Sequence, residues 1–481
     1  ENEPRRGGAP TSNLLIILAL VIRDMQQNHQ FCCTFFSFDP LTSECDIHEK
    51  ENYMVFNMSA IDTLETIRSE PIRTDRYLQD RLDIQERTRT SHFPWRGQFS
   101  PDLIDYLLSL HHVPNGYLLD PFCGSGTCLY EASHYGMAAI GSDVNPAAYI
   151  FTSIAQFTNL SPSTRHQYTE RAYADALSLD NTYPLFTSGS PPSDFVTPFL
   201  SSSVDRLDYL YRLAGLMSGH GDQRSFSVER LAKGLASART VVDMMEYSTH
   251  PVTPLLQDAR HLPISENTVD LIITSPPYIN VFNYHQNYRP ILEAAGWTPL
   301  QCARSEIGAN RKHRGNRFMT VVQYCIDLAQ TLHYLNTRLK SDSEAILVVG
   351  RSSNVRGVPF LNGEILAALC TLYHTFTLTA WSERKYTNRY GQAIYEDILT
   401  LRRLDPGSPI CEPGPARDLA MTLLTEAKQM PRAPDVARDI DDAIARTANI
   451  SASPPFDMPR PCAYTSLPHT HFHNIEKEAV S

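Results

Sequence analysis

The sequence lacks a hydrophobic run long enough to cross a membrane. The apolar run Leu14–Ile22 has only nine residues, whereas a membrane-spanning helix needs about 20. Cysteine motifs are lacking as well. The ten cysteines include no C-x-x-C pair and no Cys/His spacing typical of zinc ligands. We therefore expect a cytoplasmic protein with reduced thiols, no bound metal and no membrane contact.

An excess of positive charge is also lacking. The 42 Lys and Arg residues against 53 Asp and Glu residues give a formal net charge of -11. This balance excludes a protein that binds nucleic acid over its whole surface, so any such contact must use a local basic patch. The hydrophobic share of 42% is ordinary for a globular protein, and 481 residues suffice for two or three domains or one elaborated domain.

The common phosphate-binding signatures are absent from the glycine-rich turn Pro121–Thr127. No Gly-Lys-Ser/Thr follows it, as a Walker A loop requires, and Leu129 stands where G-x-G-x-x-G has its third glycine. What is present is a predicted strand at Gly116–Asp120, then this turn, a helix at Cys128–Tyr135 and a strand at Met137–Ser142. That order is a β-turn-α-β unit and predicts a doubly wound, mostly parallel α/β sheet.

The glycine turn and the end of the second strand indicate a ligand. Gly124 and Gly126 allow the backbone to approach a ligand closely at a helix N-terminus, which suits a phosphate or a carboxylate. Asp143 follows the second strand, where acidic side chains hold ribose hydroxyls in nucleotide-binding α/β folds. Together they predict a nucleoside-containing cofactor. The alternative is a tight turn with an aspartate that caps a helix.

A second candidate site follows the run Val269–Thr274, which has the apolar, β-branched composition of a central parallel strand. Pro276 and Pro277 end this strand because proline cannot continue a ladder. At this strand end the turn offers backbone carbonyls, the Ser275 hydroxyl and the ring of Tyr278. Acceptors beside a flat ring suit the exocyclic amine of a nucleobase. The alternative is an ordinary turn after a buried strand.

One segment of the chain is strongly basic. Between Cys302 and Arg317 a single acid, Glu306, is outnumbered by five cations, which are Arg304, Arg311, Lys312, Arg314 and Arg317. Contact with nucleic-acid phosphates is one interpretation of this segment, and a solvated loop is the other.

The distribution of strands and prolines divides the chain into parts. Residues 1–75 are an N-terminal extension of unknown role. Residues 76–150 and 250–405 carry the predicted strands and form the α/β domain. Residues 151–249 lose the strand pattern and predict a helical insertion, which acts in target recognition or as a lid. Residues 406–481 predict short helices and a disordered tail.

Taken together, these segments resemble the amino-group DNA methyltransferases, which methylate cytosine N4 or adenine N6 with S-adenosyl-L-methionine. The matching motifs are Asp120-Pro-Phe-Cys-Gly-Ser-Gly-Thr127 and Thr274-Ser-Pro-Pro-Tyr278. Gln98-Phe-Ser-Pro101 resembles the binding segment that precedes the family's glycine motif. The resemblance covers roughly residues 90–150 and 250–405.

The resemblance implies a Rossmann-like fold that binds S-adenosyl-L-methionine. Asp143 and Asp258 fall where the family's two cofactor-binding acids fall, the first at the ribose and the second near the adenine amine, and Glu396–Arg403 resembles its terminal strand. The residues implied around the cofactor are Phe99, Ser100, Asp120, Phe122, Gly124, Gly126, Thr127, Asp143 and Asp258. The residues implied in catalysis on the target base are Ser275, Pro276, Pro277 and Tyr278.

The identity of the target base is inferred from Ser275. In this family a serine before Pro-Pro-Tyr occurs mostly with cytosine N4, and an acid or asparagine mostly with adenine N6. We therefore expect methyl transfer to the N4 of a cytosine flipped out of double-stranded DNA, with the basic segment on DNA phosphates and a cognate restriction endonuclease as candidate partner. Adenine N6, an RNA or protein-amide substrate, and a non-catalytic module that binds the cofactor or DNA stay open as alternatives. The sequence predicts no oligomeric state.

Overall fold

Apolar and β-branched runs form one eight-stranded sheet and a separate two-stranded hairpin in the computed structural model. Arg311, Lys312 and residues 1–57 of the predicted extension lie outside the described residues, as does the tail from residue 457 onward. The described residues are 58–74, 89–95, 97–178, 206–218, 228–279, 284–294, 297–308, 313–387, 391–405, 410–430 and 433–456.

The sheet is mostly parallel, with the order β1-β9-β10-β6-β5-β2-β3-β4. Strand β10 is antiparallel to both of its neighbours, and the other five strand pairs of this sheet are parallel. This order confirms the predicted doubly wound α/β fold. The strands are β1 Arg73–Thr74, β2 Tyr117–Asp120, β3 Ala138–Asp143, β4 Val252–Leu256, β5 Val269–Thr274, β6 Leu339–Gly350, β7 Ser352–Val355, β8 Val358–Leu361, β9 Phe376–Thr387 and β10 Ala393–Arg403.

Helices cover both faces of the sheet, because alternate strand residues point into two different hydrophobic cores. Leu118 and Ile273 belong to one core, and Leu119 and Ile272 belong to the other. Helices α2 to α9 contribute to the first core, and α1 and α10 to α13 to the second. The helices are α1 Ala60–Ser69, α2 Pro101–His111, α3 Thr127–Ala132, α4 Pro146–Ser153, α5 Pro162–Ser178, α6 Arg206–Ser218, α7 Val228–Asp243, α8 Arg289–Ala294, α9 Pro299–Ser305, α10 Met319–Arg338, α11 Asn362–Leu372, α12 Gly414–Gln429 and α13 Pro434–Arg446.

The predicted insertion and the predicted tail both contribute helices to these layers. Helices α5, α6 and α7 lie in the insertion and pack on the first core, and its role in target recognition or as a lid stays a prediction. The predicted domain boundary after residue 405 also stays a prediction. Leu419, Leu424 and Ile440, beyond that boundary, are buried in the second core. Within the described ranges, no helix combines the length and apolarity that crossing a membrane requires.

The strand order reverses between β2 and β5. From β2 the chain adds β3 and then β4 on one side, whereas β5 and β6 lie on the other side of β2. Open α/β sheets form a ligand-binding crevice at such a reversal, outside the carboxyl ends of the strands. The glycine turn leaves β2 here and the Pro-Pro turn leaves β5, so the topology brings the two candidate motifs to one edge of the sheet.

Candidate active site

A cavity of 660 Å³ opens at this edge of the sheet. Its walls come from Gly97–Phe99, the glycine turn, the ends of β3 and β4, the Pro-Pro turn and the β9–β10 pair. Ligand pockets commonly measure about 300–1,000 Å³, so the cavity has the size of a small-molecule site. The predicted site residues that line it are Phe99, Phe122, Gly124, Thr127, Asp143, Asp258, Ser275, Pro277 and Tyr278. Those that are buried and do not line it are Ser100, Asp120, Gly126 and Pro276.

The glycine turn folds tightly beneath an indole ring. Gly124 and Gly126 have φ angles of 51° and 84°, in the left-handed region that favours glycine. A Cβ at Gly124 would lie 2.8 Å from Nε1 of Trp95, so a side chain there would displace the indole. The Gly124 N–H donates a hydrogen bond to Oδ2 of Asp143 at 3.2 Å. The turn is thereby fixed to the end of β3.

Asp143 presents a carboxylate to the cavity. Its Oδ1 accepts a hydrogen bond from the Asn145 N–H at 2.8 Å, and its Oδ2 accepts the one from Gly124. Burial, with a smaller contribution from the negative charge of Glu306, raises the pKa of Asp143 to about 7. A carboxylate has about four lone-pair sites, so two hydrogen bonds leave capacity for ligand hydroxyl groups.

Asp120 joins the two strands that carry the motifs. Its Oδ1 accepts a hydrogen bond from the Thr274 hydroxyl at 2.6 Å and from the Phe122 N–H at 3.2 Å. Its side chain is fully buried, and Oδ2 has no hydrogen-bond partner among the described residues. Burial raises the pKa of this carboxyl group to about 6. Asp120 therefore sets the position of the Pro-Pro turn relative to the glycine turn, and its predicted contact with the methionine end of the cofactor stays a prediction.

Asp258 is bound by an arginine that the sequence analysis did not connect with it. Nε of Arg260 donates to Oδ1 at 2.9 Å and Nη2 donates to Oδ2 at 2.6 Å. Nη1 of the same arginine bonds Asp327 on α10 at 3.2 Å and the carbonyl oxygen of Ser453 at 3.1 Å. Asp258 still lines the cavity, so contact with an adenine amine must use lone pairs that Arg260 leaves available.

The segment Gln98-Phe-Ser-Pro101 begins helix α2, as its Ser-Pro pair indicates. Ser100 is the N-cap residue, but its hydroxyl makes no capping hydrogen bond. Oε1 of Gln98 accepts a hydrogen bond from Oγ of Ser125 at 3.2 Å, which ties this segment to the glycine turn. Gln98 and Phe99 form part of the cavity wall.

The Pro-Pro turn brings a hydroxyl and a phenol ring to the cavity together. Oγ of Ser275 lies 3.3 Å from the hydroxyl of Tyr278. The edge of the Tyr278 ring lies against Gly350 at the end of β6, where an added Cβ would be 3.1 Å from Cε2. Burial, with a smaller contribution from the negative charge of Glu396, raises the pKa of Tyr278 well above its usual range, so the phenol stays neutral.

Four charged residues of the cavity wall were given no site role by the sequence analysis. Glu306 accepts a hydrogen bond from Nδ1 of His285 at 3.1 Å. Arg351 donates to Asp397 at 2.8 Å, and Arg384 donates to Glu396 at 2.9 Å. Arg384 and Glu396 reach the cavity through the pairing of β9 with β10. Arg351 directly follows β6, and Glu306 lies in the loop after α9. No motif in the sequence specifies these positions. The four are Glu306, Arg351, Arg384 and Glu396.

The basic segment begins next to the cavity. Arg304 is exposed at the end of α9, and Ser305 to Gly308, directly after it, line the cavity. Arg314 and Arg317 are exposed too. None of these three arginines has an ion-pair partner within the described part of the chain.

Comparison with known proteins shows what this chain resembles. The family model N6_N4_Mtase, described as DNA methylase, matches residues 48–152, which contain the glycine turn and Asp143. The chain is similar to the Type II methyltransferase M.MjaII of Methanocaldococcus jannaschii, with 39% identity over 69 residues, 14% of this chain and 13% of that protein. It is also similar to the Type II methyltransferase M.BsoBI of Geobacillus stearothermophilus, with 25% identity over 40% of this chain and 50% of that protein.

Over part of its length, the chain is similar to amino-group DNA methyltransferases. The resemblance predicted from the motifs is thus confirmed, and S-adenosyl-L-methionine is the cofactor that it implies. The chain spans no more than half the length of these two relatives. Among solved structures, it matches a SAM-dependent methyltransferase from Methanosarcina mazei over 64% of this chain and 99% of that one, with 10% identity and a TM-score of 0.30.

The residues at the cavity fit S-adenosyl-L-methionine. Asp143 offers carboxylate lone pairs for ribose hydroxyls. Gly124 leaves its backbone open to a ligand beside the indole of Trp95. Phe99 and Phe122 supply apolar surface to the same wall.

Proposed function

We propose that this methyltransferase-family protein transfers a methyl group from S-adenosyl-L-methionine to the N4 amine of a cytosine in DNA. The observation that carries the proposal is that the glycine turn and Ser275-Pro-Pro-Tyr278 open on one cavity. One motif offers a carboxylate and close backbone approach for a nucleoside cofactor, and the other offers acceptors and a ring for a base. A cofactor and a base held in one cavity can react directly, and their fixed orientation increases the rate of reaction.

Each cofactor-side residue has a specific role in this proposal. Asp143 accepts hydrogen bonds from the ribose hydroxyls, and Asp258, oriented by Arg260, accepts one from the adenine amine. Gly124 allows the methionine end to approach the backbone, with Phe99 and Phe122 packing beside it. The chemistry that S-adenosyl-L-methionine supplies when bound is an electrophilic methyl group on a positively charged sulfur.

The Pro-Pro turn activates the amine by hydrogen bonding. The lone pair of an exocyclic amine is delocalised into the base, which makes the nitrogen a poor nucleophile. Oγ of Ser275 and the Pro276 carbonyl accept its two hydrogens, which favours a pyramidal nitrogen whose lone pair points at the methyl group. Transfer would form one nitrogen–carbon bond as the sulfur–methyl bond breaks, which leaves a neutral thioether, and the nitrogen would release one proton to solvent. Positioning and electrostatics therefore supply the catalysis, and no strongly basic side chain is required.

Tyr278 and the basic segment hold the DNA in this proposal. A base inside a duplex cannot reach the cavity, so the cytosine flips out and its ring rests on Tyr278. The exposed arginines Arg304, Arg314 and Arg317 of the basic segment contact the phosphates, and Arg311 and Lys312 of the same segment share this role. A cognate restriction endonuclease is the partner that such a modification activity implies.

Nucleoside mass spectrometry tests the proposal. Mixed-sequence DNA is incubated with the protein and S-adenosyl-L-methionine carrying an isotope-labelled methyl group, and the digested nucleosides are analysed. We expect labelled N4-methylcytosine. Labelled N6-methyladenine would retain the mechanism and refute the choice of cytosine. Intact cofactor binding without label in DNA would refute the DNA substrate and direct the search to RNA and protein amides.

One variant separates base binding from cofactor binding. Tyr278→Ala should abolish transfer while the cofactor dissociation constant, measured by titration calorimetry, stays close to wild type. Equal loss of both would refute the role of Tyr278 at the base. A wild-type protein that does not bind the cofactor at all would favour a non-catalytic module.

A further inference from the structure

A buried ion pair forms part of the cavity wall opposite the glycine turn. Arg384 on β9 and Glu396 on β10 are direct partners in the antiparallel register, and Nη1 of Arg384 lies 2.9 Å from Oε2 of Glu396. Their side chains are only 5% and 16% exposed. Both residues line the same cavity as Ser275 and Tyr278.

This ion pair lies on the base side of the cavity. The charge of Glu396 is close enough to Tyr278 to contribute to its raised pKa, after the larger effect of burial. The guanidinium carbon of Arg384 lies 4.9 Å from the ring centroid of Tyr386, which also lines the cavity. Gly350 contacts the Tyr278 ring and lies directly across from Glu396 in the β6–β10 register. The pair and the Pro-Pro turn therefore surround one compartment.

Stability alone does not explain an ion pair in this position. A buried ion pair is commonly no more stabilising than apolar residues of the same volume, because both charges lose their hydration. What the pair adds to the wall is a fixed pattern of hydrogen-bonding groups. The guanidinium carries only donors, and the carboxylate carries only acceptors.

This pattern matches one base edge. The Watson–Crick edge of cytosine presents, in order, an amine donor, the N3 acceptor and the O2 acceptor. The edge of adenine presents an amine donor, the N1 acceptor and then a C–H group. A guanidinium that donates two hydrogen bonds complements N3 and O2 of cytosine, whereas adenine leaves one N–H donor without a partner. An unsatisfied buried donor is unfavourable, so such a site discriminates strongly.

We propose that Arg384, held in place by Glu396, recognises the Watson–Crick edge of the flipped cytosine, with the guanidinium donating to N3 and O2 while the N4 amine donates its two hydrogens to Ser275 and Pro276. The inference rests on the proposed function and names two residues that determine its base specificity. Ser275 and Pro276 act on the same amine, and the ion pair fixes which base can present that amine to them.

The test uses variants that keep the fold intact. The double variant Arg384→Met/Glu396→Leu removes both charges together, so neither is left buried without a partner. Glu396→Gln keeps the shape of the side chain and removes only its charge. Arg402→Met is the matched control, since Arg402 is on the same strand as Glu396, is 53% exposed, lies 3.7 Å from Glu344 and does not line the cavity. Thermal denaturation and calorimetry of cofactor binding establish that each variant is folded.

With labelled cofactor and mixed-sequence DNA, we expect N4-methylcytosine from wild type and from Arg402→Met at equal rates. The double variant should keep the cofactor dissociation constant within about twofold and lose transfer by at least about 100-fold, as expected for loss of base hydrogen bonds. Glu396→Gln should give an intermediate loss through a raised KM for DNA, with the KM for the cofactor unchanged.

The two proposals fail in different ways. Wild-type transfer to adenine N6, or unchanged transfer to cytosine by the folded double variant, would overturn the role of the ion pair and leave the DNA methyltransferase proposal standing. Cofactor binding by wild type without label in any DNA base would overturn both.

Discussion

At the residue scale, the sheet edge at the cavity contains acids whose surroundings oppose their ionisation. Asp143 and Asp120 have raised pKa values, of about 7 and about 6, mainly because they are buried. A sheet edge that concentrates negative charge suits a ligand that carries a positive sulfur and donates hydroxyl hydrogens. It also makes ligand affinity depend on pH close to neutrality.

Asp143 allows a direct test of this dependence. The ionised carboxylate accepts ribose hydroxyls, and it is the main form above pH 7, so the cofactor should bind most tightly there. Below the pKa of about 7, the dissociation constant should rise by up to about tenfold per pH unit. Titration calorimetry between pH 5.5 and 8.5 measures the effect. Asp143→Asn has no ionisable group at this position and should bind the cofactor weakly at every pH. If its dissociation constant changed with pH as in wild type, the pH dependence would belong to another group.

Gly350→Ala tests the position of the Tyr278 ring. The added Cβ would lie 3.1 Å from Cε2, so the ring must move away from β6. Small displacements of reacting groups reduce rates strongly, and we expect transfer to fall about tenfold with cofactor affinity unchanged. Gly414→Ala is the matched control, because a Cβ there has no neighbour within 4 Å. Single-turnover rates of methyl transfer are measured for both variants. Equal rates would show that transfer does not depend on the present position of the Tyr278 ring.

At the element scale, the strands that hold the site were predictable because each is an apolar run that stops at a distinctive turn. The strands Tyr117–Asp120 and Val269–Thr274 end at the predicted glycine and proline turns, and these turns explain why each motif lies at a sheet edge. The contacts of Arg384 with Glu396 were not predictable. They depend on the register of β9 against β10, which includes an irregularity between Thr400 and Leu401, and register is set by hairpin geometry that no motif encodes.

Arg260 joins three elements that are distant in the sequence, namely the end of β4, helix α10 and the segment at Ser453. Arg260→Met leaves Asp258 and Asp327 buried without their cation, so we expect the free energy of unfolding to fall by about 3–5 kcal/mol. Arg446→Met is the control, because it removes only an exposed i,i+4 ion pair with Asp442. It should change the free energy of unfolding by less than about 1 kcal/mol. Urea denaturation followed by circular dichroism measures both, and a similar small loss in both variants would contradict the structural role of Arg260.

At the scale of the whole molecule, the negative net charge and the local basic segment act against each other in DNA binding. The net charge of -11 repels a polyanion at long range. Affinity must then come from the few cations beside the cavity, each of which releases about one counterion from the duplex. Arg304→Ala and Arg317→Ala should each weaken binding to any sequence and lower the slope of log affinity against log salt by about 1. Fluorescence anisotropy between 50 and 200 mM salt measures the slope. An unchanged slope would show that the substituted residue does not contact the DNA phosphates.

The Asp120–Thr274 hydrogen bond, which fixes the two motifs relative to each other, also determines when the site can form during biosynthesis. The two residues are 154 positions apart, and the helical insertion lies between them. A nascent chain that ends before Thr274 has its glycine turn but lacks the neighbouring strand that supports it. Closing so long a segment has an entropic cost before any contact compensates for it. Cofactor binding can therefore stabilise only a chain whose synthesis has passed β5, and earlier translation intermediates must stay soluble without that stabilisation.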